Sequence, residues 1–330
     1  MALPDWARVH ASPLFAATIR STPADFDVTE ELGIEFSGDG EHDYLYIEKI
    51  STNTEWLARQ LARYAGVAAK DVGYSGLKDR HAITRQWFSV PRWNQPDWSG
   101  LDTEGVTLLE QARHSRKLRR GAHKFNHFKI VLRGDDLRQH AAALGERLAA
   151  IDTGGIPNYF GPQRFGRDAG NLALADEWAR GRRLPRHKRS LAISTIRSYL
   201  FNEILHARVL AGTWNEMLAG DTANLDGSAS VFDVGDVDDE IQRRCSEMDI
   251  HPTAPLAGDG STGHQPFDHW PGWMTALGNA RVKPGTRSLR LRVRDLKMDM
   301  DDDFVTLGFS LGRGAYATSV LREIVTANGL

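Results

Sequence analysis

The sequence predicts an α+β fold: a mostly antiparallel sheet with flanking helices, interrupted by a mainly helical insertion. Three observations point to it. Apolar residues alternate as in strands toward both ends of the chain, at Leu45 and Ile47, at Phe128, Ile130 and Leu132, and at Leu289, Leu291 and Val293. Between these stretches the spacing turns helical, through Leu172 to Trp178 and Ile193 to Leu210. Breaks rich in glycine and proline, at Gly154, Gly155 and Pro157 and again from Pro252 to Gly285, bracket the helical stretch.

In chain order, Tyr44 to Glu48 reads as a strand, and Thr52 with Glu55 makes a capping box that starts a helix whose buried face carries Leu57, Leu61 and Tyr64. After Gly66 come the apolar piece Val72 to Tyr74, a turn at Gly76 and an extended stretch from Gln86 to Val90. That order places Lys78, Asp79 and Arg80 on a loop between strands. The Phe128 strand leads into an amphipathic helix along Leu137, Ala141, Leu144, Leu148 and Ile151. The expected domains are therefore a discontinuous sheet domain, 1–154 and 289–330, and an inserted domain, 155–288. On the return, Arg290, Arg292 and Arg294 alternate with the apolar residues and are expected to form a basic face. Phe304 to Leu311 is a further strand and Tyr316 to Val325 a closing helix.

With 41% hydrophobic and 25% charged residues the composition is that of a folded, soluble protein. The single cysteine, Cys245, excludes an intramolecular disulfide and a thiolate zinc site. No apolar run is long enough to cross a bilayer, and no secretory leader is evident, so a cytoplasmic location is expected. No Walker-type phosphate loop or complete dinucleotide fingerprint occurs, so no cofactor is expected. Net charge is only −2, yet it is sorted. Gln111 to Gly134 holds eight Lys or Arg and no acid, Trp178 to Arg197 seven and none, and Arg281 to Lys297 seven against Asp295 alone, while Asp221 to Glu240 holds seven acids and no base. Basic runs of that kind either face solvent or meet a polyanion, and three of them together favour the polyanion.

Asp79 follows Gly73-Tyr74-Ser75-Gly76-Leu77 and stands between two cations. Such an aspartate is either a turn residue or an acid presented for chemistry. The run from Val72 to Trp87 resembles the signature of the TruD family of tRNA pseudouridine synthases, with its Gly-x-Lys-Asp loop. Further landmarks of that family appear in order: Pro23-Ala24-Asp25-Phe26, Arg113 to Arg119, Asn126-His127-Phe128, Pro157 to Gly166, and Gly314 to Glu323. The resemblance spans nearly the whole chain. It implies a pseudouridine synthase catalytic sheet with an inserted TRUD domain, conversion of uridine to pseudouridine at position 13 of tRNA, and no cofactor. It also implies Asp79 as the catalytic residue, with Phe26, Asn126, Tyr316, Phe128 and Arg20 on the substrate side. Two positions depart from the family pattern. Arg20 stands where lysine is common, and Phe125 stands where glycine usually precedes the asparagine, which bears on the backbone expected around Asn126.

The residue types suit that chemistry. Breaking the bond between uracil and ribose needs a group that attacks C1′ or removes a sugar proton, and a carboxylate does either. The freed base must then turn without escaping, and an aromatic face holds a base by roughly 1–3 kcal/mol while permitting in-plane rotation. An amide at Asn126 can hold the uracil edge, and a cation at Arg20 keeps Asp79 ionised. Taken singly, Phe26, Phe128 and Tyr316 also fit plain core aromatics. The expected partner is tRNA, with no membrane and no obligate protein partner, the chain acting as a monomer. A non-catalytic tRNA-binding protein or RNA chaperone, and a hydrolase built on Asp79, are the other classes the residues allow.

Overall fold

The computed structural model describes residues 3–10 and 12–328. Its first part is rich in strands: β1 (Phe15–Thr18), β2 (Phe26–Leu32), β3 (His42–Ile50), α1 (Thr54–Ala65), β4 (Gly73–Tyr74), β5 (Ile83–Pro91), β6 (Val106–His114), β7 (His123–Arg133) and α2 (Ala141–Gly154). The middle follows as β8 (Ile156–Pro157), α3 (Gly170–Ala179), α4 (Arg186–Leu210), β9 (Thr222–Leu225), β10 (Val231–Asp233), α5 (Asp239–Ser246), β11 (Ile250–Leu256), α6 (Gln265–His269), α7 (Pro271–Asn279), β12 (Gly285–Ser288) and β13 (Arg290–Leu291). The chain closes with β14 (Arg294–Met300), β15 (Phe304–Gly312), α8 (Ala317–Arg322) and β16 (Val325–Asn328).

Two compact units result, each built from separate chain segments. One comprises Leu14–Leu148, Val293–Ala317 and Ile324–Leu330; the other takes the residues up to Pro13, Ala149–Arg292 and Thr318–Glu323. The first unit holds a ten-stranded mixed sheet with the central order β14-β15-β7-β2-β5-β3-β6. Most neighbours run antiparallel; β2 with β5 and β1 with β16 are parallel. The second unit is dominated by α3 to α7, and adds a four-stranded sheet, β10-β9-β11-β12, that the helical spacing did not foretell.

Helix α1 shows how sequence becomes packing. Asn53, not Thr52, caps it: its side chain accepts from the backbone N–H groups of Glu55 and Trp56. Thr52 instead turns back and donates to the Ile50 carbonyl. The helix ends at Gly66, whose φ of 65° is left-handed and free of strain only for glycine. Leu57, Leu61, Ala58 and Ala65 bury against Leu45, Ile47, Phe88 and Val90 of the sheet. Each of those leucines contributes about 1.5–3 kcal/mol by leaving water. Tyr64 does not join that face; it is exposed, donates to the Asp97 carbonyl and stacks on Trp98 at 5.3 Å.

Two other expectations change. The closing helix stops at Arg322, because Val325–Asn328 pairs in parallel with β1, a partner some three hundred residues away. The alternation at Leu289 to Arg294 does not make a basic face. Arg290 is buried, donating to the carbonyls of Cys245 and Ile250 and to His251, while Arg292 pairs with Asp226 at 2.9 Å. A buried guanidinium must find acceptors inside, and that of Arg290 does, while the half-buried Arg292 is neutralised by Asp226. The segment Asn158 to Gly166 is structural within the second unit: Phe160 exchanges two backbone hydrogen bonds with the Asn202 amide, and Arg287 lies over its ring.

Candidate active site

Asp79 sits on the connection between β4 and β5, with its side chain 49% exposed and therefore open to a large substrate. Arg20 holds it: Nη2 lies 3.1 Å from Oδ1. The same guanidinium rests 4.1 Å above the ring of Phe26. Arg20 itself has a φ of 59°, a strained conformation for a residue with a Cβ, and such strain persists where surrounding contacts over-determine it.

The Pro23-Ala24-Asp25-Phe26 motif builds the turn that delivers this ring. Asp25 accepts from the backbone N–H of Thr22 and from two nitrogens of Arg133, at 2.8 and 3.2 Å. The Arg133 hydrogen bonds hold the carboxyl below its ordinary range, outweighing the opposing effect of burial. Phe26 is 1% exposed, meets Phe128 edge-on at 6.2 Å, and Phe128 in turn stacks on Phe309 at 5.3 Å. Arg20, Phe26, Asp79 and Phe128 are thus joined by a chain of direct contacts.

Asn126 lies within β7, opposite Glu30 of β2 and Leu311 of β15, rather than on a loop. By strand alternation it shares a face with Phe128. Its Oδ1 is buried and has no hydrogen-bond partner among the described residues. Phe125 is absent from the left-handed residues, so the extended backbone here needs no glycine. Tyr316 is half-buried in the turn from β15 to α8.

Beneath the Asp79 loop is a polar floor that the sequence reading did not single out. Lys49 is fully buried, and its Nζ donates to the carbonyl of Thr52 at 2.7 Å and to the carbonyl of Asp79 itself at 3.0 Å. Burial pushes its pKa down to about 8, with the Asp79 charge acting in the opposite direction. Thr54 accepts from the Lys78 backbone and donates to Gln86, whose amide donates to the Gly76 carbonyl. Lys78 reaches Glu30 at 2.5 Å, and both side chains are buried. Ser75 accepts from the His123 backbone and shares a 2.5 Å contact with its ring. Burial, with Lys78 and Arg313 adding to it, lowers His123 to about 4, so the ring is neutral at pH 7. A signal existed: Lys49 alternates in phase with Leu45 and Ile47, Glu30 with Phe26 and Val28, and Gln86 with Phe88 and Val90. Polar residues at core-facing positions of three adjacent strands are costly unless partnered, and here their partners lie on the loop that bears Asp79.

Fold and site together define a protein of mixed helices and strands with an acid-centred site on a loop pinned from below. A family model described as tRNA pseudouridine synthase D (TruD) matches residues 8–178 and 172–266. A protein of that name from Methylococcus capsulatus is 43% identical over 335 residues, covering 97% of this chain and 94% of the relative. Another from Nitrosococcus oceani is 43% identical over 329 residues, covering 95% and 91%. The chain belongs to the TruD family of tRNA pseudouridine synthases. Its fold is also that of a crystal structure assigned to TruD from Methanosarcina mazei, with a TM-score of 0.72, 21% identity, and coverage of 99% of this chain and 96% of the other.

Proposed function

We propose that this protein isomerises uridine to pseudouridine in tRNA, at position 13, with Asp79 as the catalytic carboxylate. The observation that carries the reading is an open carboxylate oriented twice over, by Arg20 at its oxygen and by Lys49 at its backbone carbonyl. Asp79 attacks C1′ or takes a sugar proton, the N1–C1′ bond breaks, the base turns, and C5 bonds to C1′. N1 gains a proton and C5 loses its own, so atoms balance without a cofactor. Arg20 orients the carboxylate through the ion pair and is itself held by the Phe26 ring. Phe128 bounds the nucleotide on the sheet side, backed by the buried Phe26 that lies under Arg20, and Tyr316 bounds it from the β15–α8 turn. The unpartnered Asn126 Oδ1 suits the N3–H of uracil. Everting the uridine costs a few kcal/mol, which phosphate contacts offset.

In the same reading the sheet domain, 1–154 and 289–330, is the pseudouridine synthase catalytic domain, and 155–288 is the inserted TRUD domain. The protein acts in the cytoplasm as a monomer; no helix among the described residues is long and apolar enough to cross a membrane. The test is to incubate purified protein with an unmodified tRNA transcript and map pseudouridine by carbodiimide adducts and reverse transcription. A stop diagnostic of position 13 supports the proposal. Salt-sensitive tRNA binding with no pseudouridine selects the non-catalytic RNA-binding reading instead.

A further inference from the structure

A cavity of about 440 Å³ lies on the sheet-bearing unit, between the turn leading into β4 and the connection from β6 to β7. Lys70, Lys117, Arg119 and Arg120 line it, with Val72 and Tyr74 among its buried walls, and none of its lining residues is acidic. Elsewhere in this unit Arg85 pairs with Asp27 and Glu48, Arg92 with Asp43 and Arg133 with Asp25. None of the four cavity cations is ion-paired among the described residues. Unneutralised like charges held side by side repel one another, and an anion between them relieves that repulsion.

The cavity is also held in shape. The Lys117 Nζ donates to the Lys70 carbonyl at 2.5 Å, tying the two walls together, and Leu118 donates its N–H to the Ser89 hydroxyl. Gly73 fits only because it lacks a side chain: a Cβ there would lie 2.4 Å from the Leu118 carbonyl oxygen. Arg120 is parked over the Tyr74 ring, its guanidinium centre 3.6 Å from the ring centroid. A cation fixed before binding loses less rotamer freedom on contact with an anion. With Arg120 on that ring face, the ring is not offered to a base, so recognition here is by phosphate and independent of sequence.

We infer that this cavity is a phosphate-backbone subsite for the RNA substrate, separate from the nucleotide position at Asp79; the inference rests on tRNA being the substrate. Two links couple the subsite to the acid. Tyr74 leads directly into the loop that bears Asp79, and Gly121, just after Arg120, donates to the Ser75 carbonyl at 2.7 Å. His123 then clasps the Ser75 hydroxyl. A phosphate seated among the four cations therefore fixes the register of the strand relative to the acid.

The test uses the full-length protein with a tRNA transcript, comparing wild type with Arg119→Ala, Arg120→Ala and the double variant Lys70→Ala/Lys117→Ala. Arg63→Ala, an exposed cation on α1, is the control. Each arginine variant is expected to reduce the slope of log affinity against log salt by about one. Each is also expected to raise KM about tenfold near 0.15 M salt while leaving kcat within about twofold. Slopes and KM values matching wild type and Arg63→Ala, in a wild type that makes pseudouridine, overturn the subsite and leave the proposed function standing. A wild type whose tRNA binding depends on these residues but which makes no pseudouridine overturns the function and keeps the subsite.

Discussion

Replacing Lys49 by methionine removes the buried ammonium that holds the Asp79 carbonyl while keeping an unbranched chain only one atom shorter. Two hydrogen bonds from a charged donor disappear, each worth about 1.5–3 kcal/mol. Against this, burial lowers the lysine pKa from 10.5 to about 8, and at about 1.4 kcal/mol per decade the charged form is disfavoured by roughly 3 kcal/mol. The two effects oppose, so Lys49→Met is expected to lower fold stability at pH 7 by no more than about 3 kcal/mol. Activity has no such compensation. A loop freed to shift by about 1 Å costs on the order of a hundredfold in rate. Steady-state conversion of tRNA is expected to show kcat lowered by about that factor with KM within about threefold. The pH dependence gives a second readout. Below pH 8 both folded and unfolded chains carry the Lys49 proton; between about 8 and 10.5 only the unfolded chain does. The unfolded chain then binds more protons, so this group makes stability rise with pH across that window, in wild type and not in Lys49→Met. An unchanged kcat, or a stability difference that stays flat from pH 8 to 10.5 in urea titrations, would refute the reasoning.

Two further outcomes are expected. Arg20→Met leaves Asp79 without its cation; the pair is partly exposed, so the loss is about 1 kcal/mol, or about five- to tenfold in kcat, and Arg20→Lys recovers most of it in the same assay. Asp25→Asn weakens the turn that seats Phe26. Because Arg133 depresses the Asp25 pKa, wild-type stability from this group is present above about pH 4 and is lost as pH falls through the depressed value. Acid unfolding monitored by tryptophan fluorescence is expected to show that loss in wild type and to lack it in Asp25→Asn.

What was legible in the sequence was local. The alternation at Leu45 and Ile47 and the glycine-bearing turn at Gly76 placed Asp79 on a loop between strands, where it lies. The family motifs brought Arg20, Phe26 and Asp79 together before any coordinates did. The misreadings came from patterns that two structures satisfy equally. Thr52 and Glu55 have capping-box spacing, yet Asn53 caps the helix one position on. Tyr64 has the spacing of the buried face of α1 but lies toward Asp97 and Trp98. The alternating arginines at Arg290 and Arg292 read as a basic face because their partners, Cys245, His251 and Asp226, are remote in sequence. The same reason hid β16, whose partner is β1. Lys49 and Glu30 were visible as polar residues in apolar phase, a pattern that asks where their hydrogen bonds go.

The central claim is that the Asp79 carboxylate performs the isomerisation, and it is tested most directly with tRNA tritiated at uracil C5. Re-bonding through C5 expels that hydrogen, so each turnover releases one tritium to water. The account predicts release by wild type, and release at least about a thousandfold slower by Asp79→Asn at saturating enzyme, with tRNA affinity within about threefold of wild type. Release by Asp79→Asn at the wild-type rate would contradict it.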